Sequence, residues 1–201
     1  MTGLHLASIS KTSLRGASVA LALAVLLALG TQRAQAQTYT VLYAFKGVPD
    51  GANPAAGLLR DGKGNLYGTT QYGGDVSSSF CSIVGCGVVF KIDAAGKETV
   101  LYRFNDEHGT NPMAGLVGDA KGNLYGTTVS GGRFGLGTAF IVTPTRKQTV
   151  IHNFKNGAGG SYPEARLVRD SSGNLHGTTS AGGNSTNSGI PARRAAQMTA
   201  G

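Results

Sequence analysis

The sequence predicts an all-β protein made of propeller-like blades of about four strands each, two units complete and a third partial. Three observations carry this reading. A seven-residue word occurs three times, as Gly64-Asn65-Leu66-Tyr67-Gly68-Thr69-Thr70, Gly122-Asn123-Leu124-Tyr125-Gly126-Thr127-Thr128 and Gly173-Asn174-Leu175-His176-Gly177-Thr178-Thr179. A second word precedes each copy: Thr40-Val41-Leu42-Tyr43-Ala44-Phe45, Thr99-Val100-Leu101-Tyr102-Arg103-Phe104 and Thr149-Val150-Ile151-His152-Asn153-Phe154. The composition, with 32 glycines in 201 residues, 14 % charged residues and no tryptophan, disfavours helix bundles and coiled coils. Recurrence at a fixed spacing is the mark of a repeat array, and four short strands per unit of about 50 residues is the arithmetic of a propeller blade. A stacked β-repeat array is the alternative architecture that the same pattern allows.

Taken in order, residues 1–36 read as a secretory signal. Lys11 and Arg15 precede an unbroken apolar run from Ala17 to Leu29, and Ala34-Gln35-Ala36 supplies a small-x-small cleavage pattern. The run is too short for the ~20 residues that cross a bilayer, so no membrane span is expected in the mature chain. The formal net charge of +8 falls to +3 over residues 37–190, where 13 bases face 10 acids. The basicity therefore belongs to the leader and the tail, and nucleic acid is not an expected partner.

The first unit covers 37–98 and the second 99–148; the third, 149–190, is incomplete. In the first unit the expected strands are Thr40–Phe45, Ala56–Arg60, Asn65–Thr70 and Gly87–Asp93, with Thr99–Phe104 opening the next. β-Branched and aromatic residues fill them. Each unit also holds a proline (Pro54, Pro112, Pro163), an Asp-x-x-Gly-Asn turn and a Gly-Gly pair. In the turns, Asp61, Asp119 and Asp170 can bond nearby backbone N–H groups ahead of Asn65, Asn123 and Asn174. Both faces of the Val41 strand are apolar, as a strand stacked between neighbouring sheets requires. The period is 51 residues from Asn123 to Asn174 and 58 from Asn65 to Asn123. The difference comes largely from an insertion at 75–86 in the first unit.

The Gly-Asn-Leu-Tyr-Gly-Thr-Thr word, the Gly-Gly pair that follows it, Gly87-Val88-Val89-Phe90-Lys91 and the Thr-Val-Leu-Tyr-x-Phe word together resemble the GloVer tandem repeat of exported bacterial proteins, over roughly residues 39–190. The resemblance implies an exported, secreted, periplasmic or surface-located protein, usually of many repeats followed by an anchoring signal. It implies no activity and transfers no catalytic residue. The chain departs from the pattern at its end, where Pro191 takes the slot that Phe140 fills in the second unit. A proline there removes a ladder donor. Residues 191–201 match nothing in the repeat and are expected to be a disordered tail, as though the reading frame were interrupted near Ser188. Exposed edges of an unclosed array invite self-association.

Candidate chemistry is sparse. Cys81 and Cys86 lie in the insertion, and export to an oxidising compartment favours a local disulfide. Zinc is the alternative, but two thiolates without a nearby pair of histidines leave a tetrahedral site incomplete. Asp106, Glu107 and His108 could act as an acid/base or ligand set, or form a solvated turn confined to one unit. His152 and His176 replace tyrosines of the other units and read as packing variants, and Thr127-Thr128 reads as β-propensity. No cofactor, metal or phosphate loop is expected, and no Gly-x-Ser-x-Gly elbow is present. Two functions remain. One is a non-catalytic binding or structural module that offers loops at one end of its blades to a cell-surface glycan or protein. The other is an extracellular polysaccharide hydrolase or lyase using Asp50, Asp106 and Glu107. A non-functional remnant is a third possibility.

Overall fold

The computed structural model describes residues 38–183 and the backbone of 194–198. The leader at 1–36 and Pro191 lie outside the described residues. Among the described residues eleven strands form three antiparallel sheets, none of them closed. The first sheet runs in sequence order through β1 (Leu59–Arg60), β2 (Leu66–Thr70), β3 (Val88–Ile92) and β4 (Glu98–Arg103). The second repeats it with β5 (Val117–Gly118), β6 (Leu124–Thr128), β7 (Thr138–Val142) and β8 (Gln148–Asn153). In the third, β10 (Leu175–Thr179) lies between β9 (Val168–Arg169) and β11 (Arg194–Met198). These are propeller-like blades of four strands, two complete and one partial.

The ladders of the two complete sheets superimpose residue for residue. Leu66 faces Ile92 and Thr70 faces Val88; Leu124 faces Val142 and Thr128 faces Thr138. Each third strand then meets its fourth with a bulge at the same place, Val89/Phe90 and Ala139/Phe140. Glycine at the middle of each second strand follows from packing. A Cβ on Gly126 would sit 2.7 Å from Cζ of Phe140 and 2.9 Å from Cδ2 of Leu116, so the ring and the leucine fill the volume that a side chain would take.

The core lies between sheets. Val89, Phe104, Leu116, Leu124, Phe140 and Val142 form one buried cluster, to which the first and second sheets both contribute. Val117, Tyr125, Ala139, Phe154, Leu167 and Leu175 form the next, between the second and third. Alternate residues of β7 thus serve opposite faces, Phe140 and Val142 one way, Ala139 the other, as a strand with two dry faces must. Hydrogen bonds also cross the seams. Thr69 Oγ1 donates to the Ala114 carbonyl at 3.1 Å and the Arg166 guanidinium to the Leu116 carbonyl at 3.0 Å. The paired threonines therefore do more than favour extended backbone: the first reaches the next sheet, and the second, Thr70 or Thr128, bonds a carbonyl two residues on.

Four expectations change. The word that was expected to open each unit closes the preceding sheet instead: Glu98–Arg103 is the fourth strand of the first sheet and Gln148–Asn153 of the second. Thr40–Phe45 accordingly forms no strand, because no described strand lies beside it; Val41 and Leu42 are 61 % and 57 % exposed. Its Tyr43 and Phe45 nevertheless pack on Val88, Phe90 and Ile92. The expected strand at Ala56–Arg60 is confined to two residues of ladder, Leu59 and Arg60. Part of the tail expected to be disordered, Arg194–Met198, is a strand opposite β10, with Thr179 facing Arg194 and Leu175 facing Met198. Antiparallel pairing needs backbone donors and acceptors rather than a particular side-chain pattern, so a segment without the repeat word can take an open edge.

Candidate binding cleft

The order of the strands sorts the connections to two ends. The tight hairpins at Asp61–Asn65, Asp93–Lys97, Asp119–Asn123, Thr143–Lys147 and Asp170–Asn174 close at one end; the longer connections, 71–87, 104–116, 129–137 and 154–167, lie at the other.

At the hairpin end each aspartate is held by its own turn. Asp61 Oδ1 accepts from the Lys63 and Asn65 amides at 2.9 and 2.8 Å, and Oδ2 accepts from the Asn65 side-chain amide at 2.7 Å and the Tyr67 hydroxyl at 3.1 Å. Asp119 repeats the set with Lys121, Asn123 and Tyr125 at 2.8–3.0 Å. Asp170 bonds the backbone and side chain of Asn174 at 2.8 Å, and Nε2 of His176 stands 3.3 Å away where the other units have a tyrosine hydroxyl. The Asn65 side-chain amide draws the Asp61 carboxyl down to about 2, and the Asn174 amide, joined by His176, does the same for Asp170, also to about 2. Burial opposes the effect at Asp119, but the Asn123 and Tyr125 bonds outweigh it and the carboxyl is again lowered. Burial and the neighbouring carboxylate push the Tyr67 and Tyr125 hydroxyls up. Asp61 and Asp119 thus each accept four bonds from their own turns.

Between the first two sheets at this end lies a cleft of about 730 Å³, within the size range of ligand sites. The Asp61–Asn65 hairpin of the first sheet and the Asp119–Asn123 and Thr143–Lys147 hairpins of the second supply its lips, and Leu101 and Leu124 lie in its wall. Four cations converge on it: Lys63, Lys91, Lys121 and Arg146. The acids in its lining are Asp61 and Asp119, already saturated by their turns. None of the four cations is in an ion pair among the described residues. A second recess of about 310 Å³ adjoins it along Asp61, Tyr67, Asp119 and Leu124 and adds Arg60. Arg146 stands out by its backbone. Its φ is +63°, in the left-handed region that favours glycine, and the corresponding residue of the first sheet's hairpin is Gly96, φ +82°. An arginine at a position that favours glycine puts a guanidinium on the lip of the cleft at a cost in backbone strain.

The expected reactive residues do not assemble. The Asp106 and Glu107 side chains are exposed to solvent at the long-loop end, away from the cleft. His108 turns its Nδ1 to the Tyr102 hydroxyl at 2.9 Å. Burial, aided by the charge on Glu107, pushes that hydroxyl up to about 12. Asp50 plays the part of His108 in the first unit and accepts from Tyr43 at 2.8 Å; this bond, with burial, raises Tyr43 to about 12. Burial and the Asp50 charge raise Glu98, a residue the repeat words gave no reason to single out. His152 packs edge-on against Phe154, centroids 4.8 Å apart, and burial lowers its pKa. Cys81 and Cys86 form a disulfide with Cα atoms 5.1 Å apart, and both are buried in the cluster between the first and second sheets. Among the described residues no three of His, Cys, Asp or Glu come together as a metal site, and no helix is long and apolar enough to cross a membrane.

The cleft's cations were legible only in part. Lys63 and Lys121 occupy the same slot in two copies of the turn, which marks a lysine presented twice in one direction. Lys91 and Arg146 join them only through the folding of adjacent hairpins.

Repeated antiparallel sheets stacked face to face, with short hairpins at one end, define a β-repeat protein of propeller-like blades. The chain belongs to the Gloeobacter/Verrucomicrobia repeat family, whose model matches residues 30–191. Among solved structures it is similar to the X-ray structure of a protein provisionally named a gluconolactonase, at 14 % identity and a TM-score of 0.38, over 61 % of this chain and 40 % of the other. The chain thus spans about two fifths of that protein's length, and a likeness at this level carries no argument about activity. No curated protein matches the chain.

Proposed function

We propose that this protein is an exported, non-catalytic binding module for acidic polysaccharide, and that the cleft between the first two sheets is where the glycan lies. The observation that supports it is the set of four unpaired cations, Lys63, Lys91, Lys121 and Arg146, around a solvent-open cleft whose two carboxylates are internally satisfied. An extended polyanion meets charge there without having to displace a salt bridge. Apolar side chains, Leu101 and Leu124, give the faces of sugar rings a surface, and Thr99 and Thr143 offer hydroxyls. The signal-like leader and the disulfide support an exported location. Against a hydrolase or lyase stands the separation of the carboxylates, with Asp106 and Glu107 exposed at the end away from the cleft and Asp50 tied to Tyr43.

The test is binding of the purified protein to a polyuronate, with neutral dextran as control, followed by a reducing-end assay on the same mixtures. Lys63→Glu with Lys121→Glu should weaken polyuronate binding at least tenfold, and raising salt from 50 to 500 mM should weaken it as well, since the Debye length shrinks to a few ångströms. Asp106→Ala should leave binding unchanged. Equal binding to dextran, or release of reducing ends that Asp106→Ala abolishes, would overturn the proposal.

A further inference from the structure

We infer that two copies of this chain join head to tail, the Thr40–Phe45 segment of each adding the missing fourth strand to the third sheet of the other. The repeats within the chain show what the word Thr-Val-Leu-Tyr-x-Phe does. In its second copy the residues of β4 pair with β3, Val88 facing Arg103 and Phe90 facing Val100, while Phe104 just beyond stacks on Phe140 of the following sheet, centroids 4.9 Å apart. The word therefore makes two sets of contacts, a ladder behind it and an aromatic contact ahead. The third copy does the same, pairing with β7 through Thr138 and Asn153 and burying Phe154 in the next cluster.

The first copy makes only the second set. Phe45 stacks on Phe90 at 4.8 Å and 65°, reproducing the Phe104–Phe140 pair at 4.9 Å and 65°. Its ladder is absent among the described residues, and Val41 and Leu42 are exposed. The third sheet has the complementary lack. β11 pairs with β10 as β7 pairs with β6, five residues against five, and no described strand lies on the far edge of β11.

Side chains along the two open faces agree. Val168 is 65 % exposed, whereas its counterpart Val117 is buried against the next sheet. Thr178 is exposed where Thr69 and Thr127 bond carbonyls of the following unit. On the opposite face Leu58 is 48 % exposed and its counterpart Leu116 is fully buried. The residues laid bare are those which the chain's own seams bury, so the end of the third sheet fits the beginning of the first.

The segment cannot serve its own third sheet. Tyr43 and Phe45 are pinned on the far side of the first sheet, and stacked sheets lie ~10 Å apart, so the second sheet stands between. A second copy is the occupant that fits. Such a contact is heterologous; two copies joined twice supply six sheets, inside the range of ~4–8 at which blades close. The added strand gains main-chain hydrogen bonds, as in other strand-addition complexes.

The counterpart of Arg103 and Asn153 is Ala44, so the expected register sets Ala44 of one copy opposite Arg194 of the other. Light scattering on the purified protein should give a dimer, and Val41→Pro with Leu42→Pro should convert it to a monomer that still unfolds cooperatively in urea, since both side chains are exposed in the single copy. Ala44→Cys with Arg194→Cys should give a dimer held by reducible cross-links. A wild-type protein that is monomeric at 50 μM, or an oligomer that survives the double proline substitution, would overturn the inference. Neither result depends on whether the cleft binds glycan.

Discussion

Replacing Arg146 by glycine should make the protein more stable and a poorer binder at once. In the second sheet the hairpin is closed by Arg146 N–H to the Thr143 carbonyl at 2.9 Å and Thr143 N–H to the Lys147 carbonyl at 3.0 Å; in the first, Gly96 and Asp93 make the same pair of bonds, to Asp93 and Lys97, at 2.9 and 3.0 Å. The turns are therefore the same, and the arginine occupies a conformation that costs an L-residue about 1–2 kcal/mol. Glycine removes that cost but gains freedom in the unfolded chain worth about 0.4–1 kcal/mol. The net expectation for Arg146→Gly is a gain of about 0.5–1 kcal/mol. Urea titration, followed by circular dichroism, is a suitable measurement, with Arg146→Ala as the partner variant. Alanine loses the guanidinium and keeps the strained backbone, so both variants should lose polyuronate binding while only glycine gains stability. If Arg146→Gly proves no more stable than Arg146→Ala, strain at this turn is not what the φ of +63° represents and the argument from backbone to function fails.

Two other outcomes follow from the packing and the turns. Gly126→Ala, which drives a methyl group to within 2.7 Å of the Phe140 ring and 2.9 Å of Leu116, should destabilise the protein by about 1–3 kcal/mol in urea titration. The acid limb of stability should be set by the turn aspartates: their folded pKa values, about 2 for Asp61 and Asp170, lie below the unfolded value of 3.8, so their contribution is complete above pH 4 and is lost as the pH falls towards 2. The urea midpoint should fall across that window, and Asp61→Asn should make the fall shallower.

The sheets were legible because each second strand carries its own boundaries: the Asp-x-x-Gly-Asn turn before Leu66 and Leu124, and a glycine whose side-chain space the Phe90 or Phe140 ring takes. Expected strands at Asn65–Thr70 and Gly87–Asp93 differ from Leu66–Thr70 and Val88–Ile92 by a single residue at each end that moved. The assignment of Thr99–Phe104 was ambiguous in principle, since a periodic sequence has no origin and the same word can open one sheet or close another. Only the pairing of Glu98–Arg103 with Val88–Ile92 resolves it. The cleft was harder to see because its charges come from four places in the chain. Lys63 and Lys121 repeat, but Arg146 replaces Gly96, and a lone basic residue in a turn has no signature until the neighbouring hairpin is set beside it. The Asp106, Glu107 and His108 cluster shows the reverse: close in sequence, its side chains part, with His108 directed to Tyr102 and the carboxylates to water.

The offset between word and sheet has a genetic consequence. Because the strand that completes one sheet is encoded beside the turn that begins the next, copying any stretch one period long inserts a whole sheet, wherever in the period the copy starts. Length can then change by recombination at many positions without leaving half a blade inside the array.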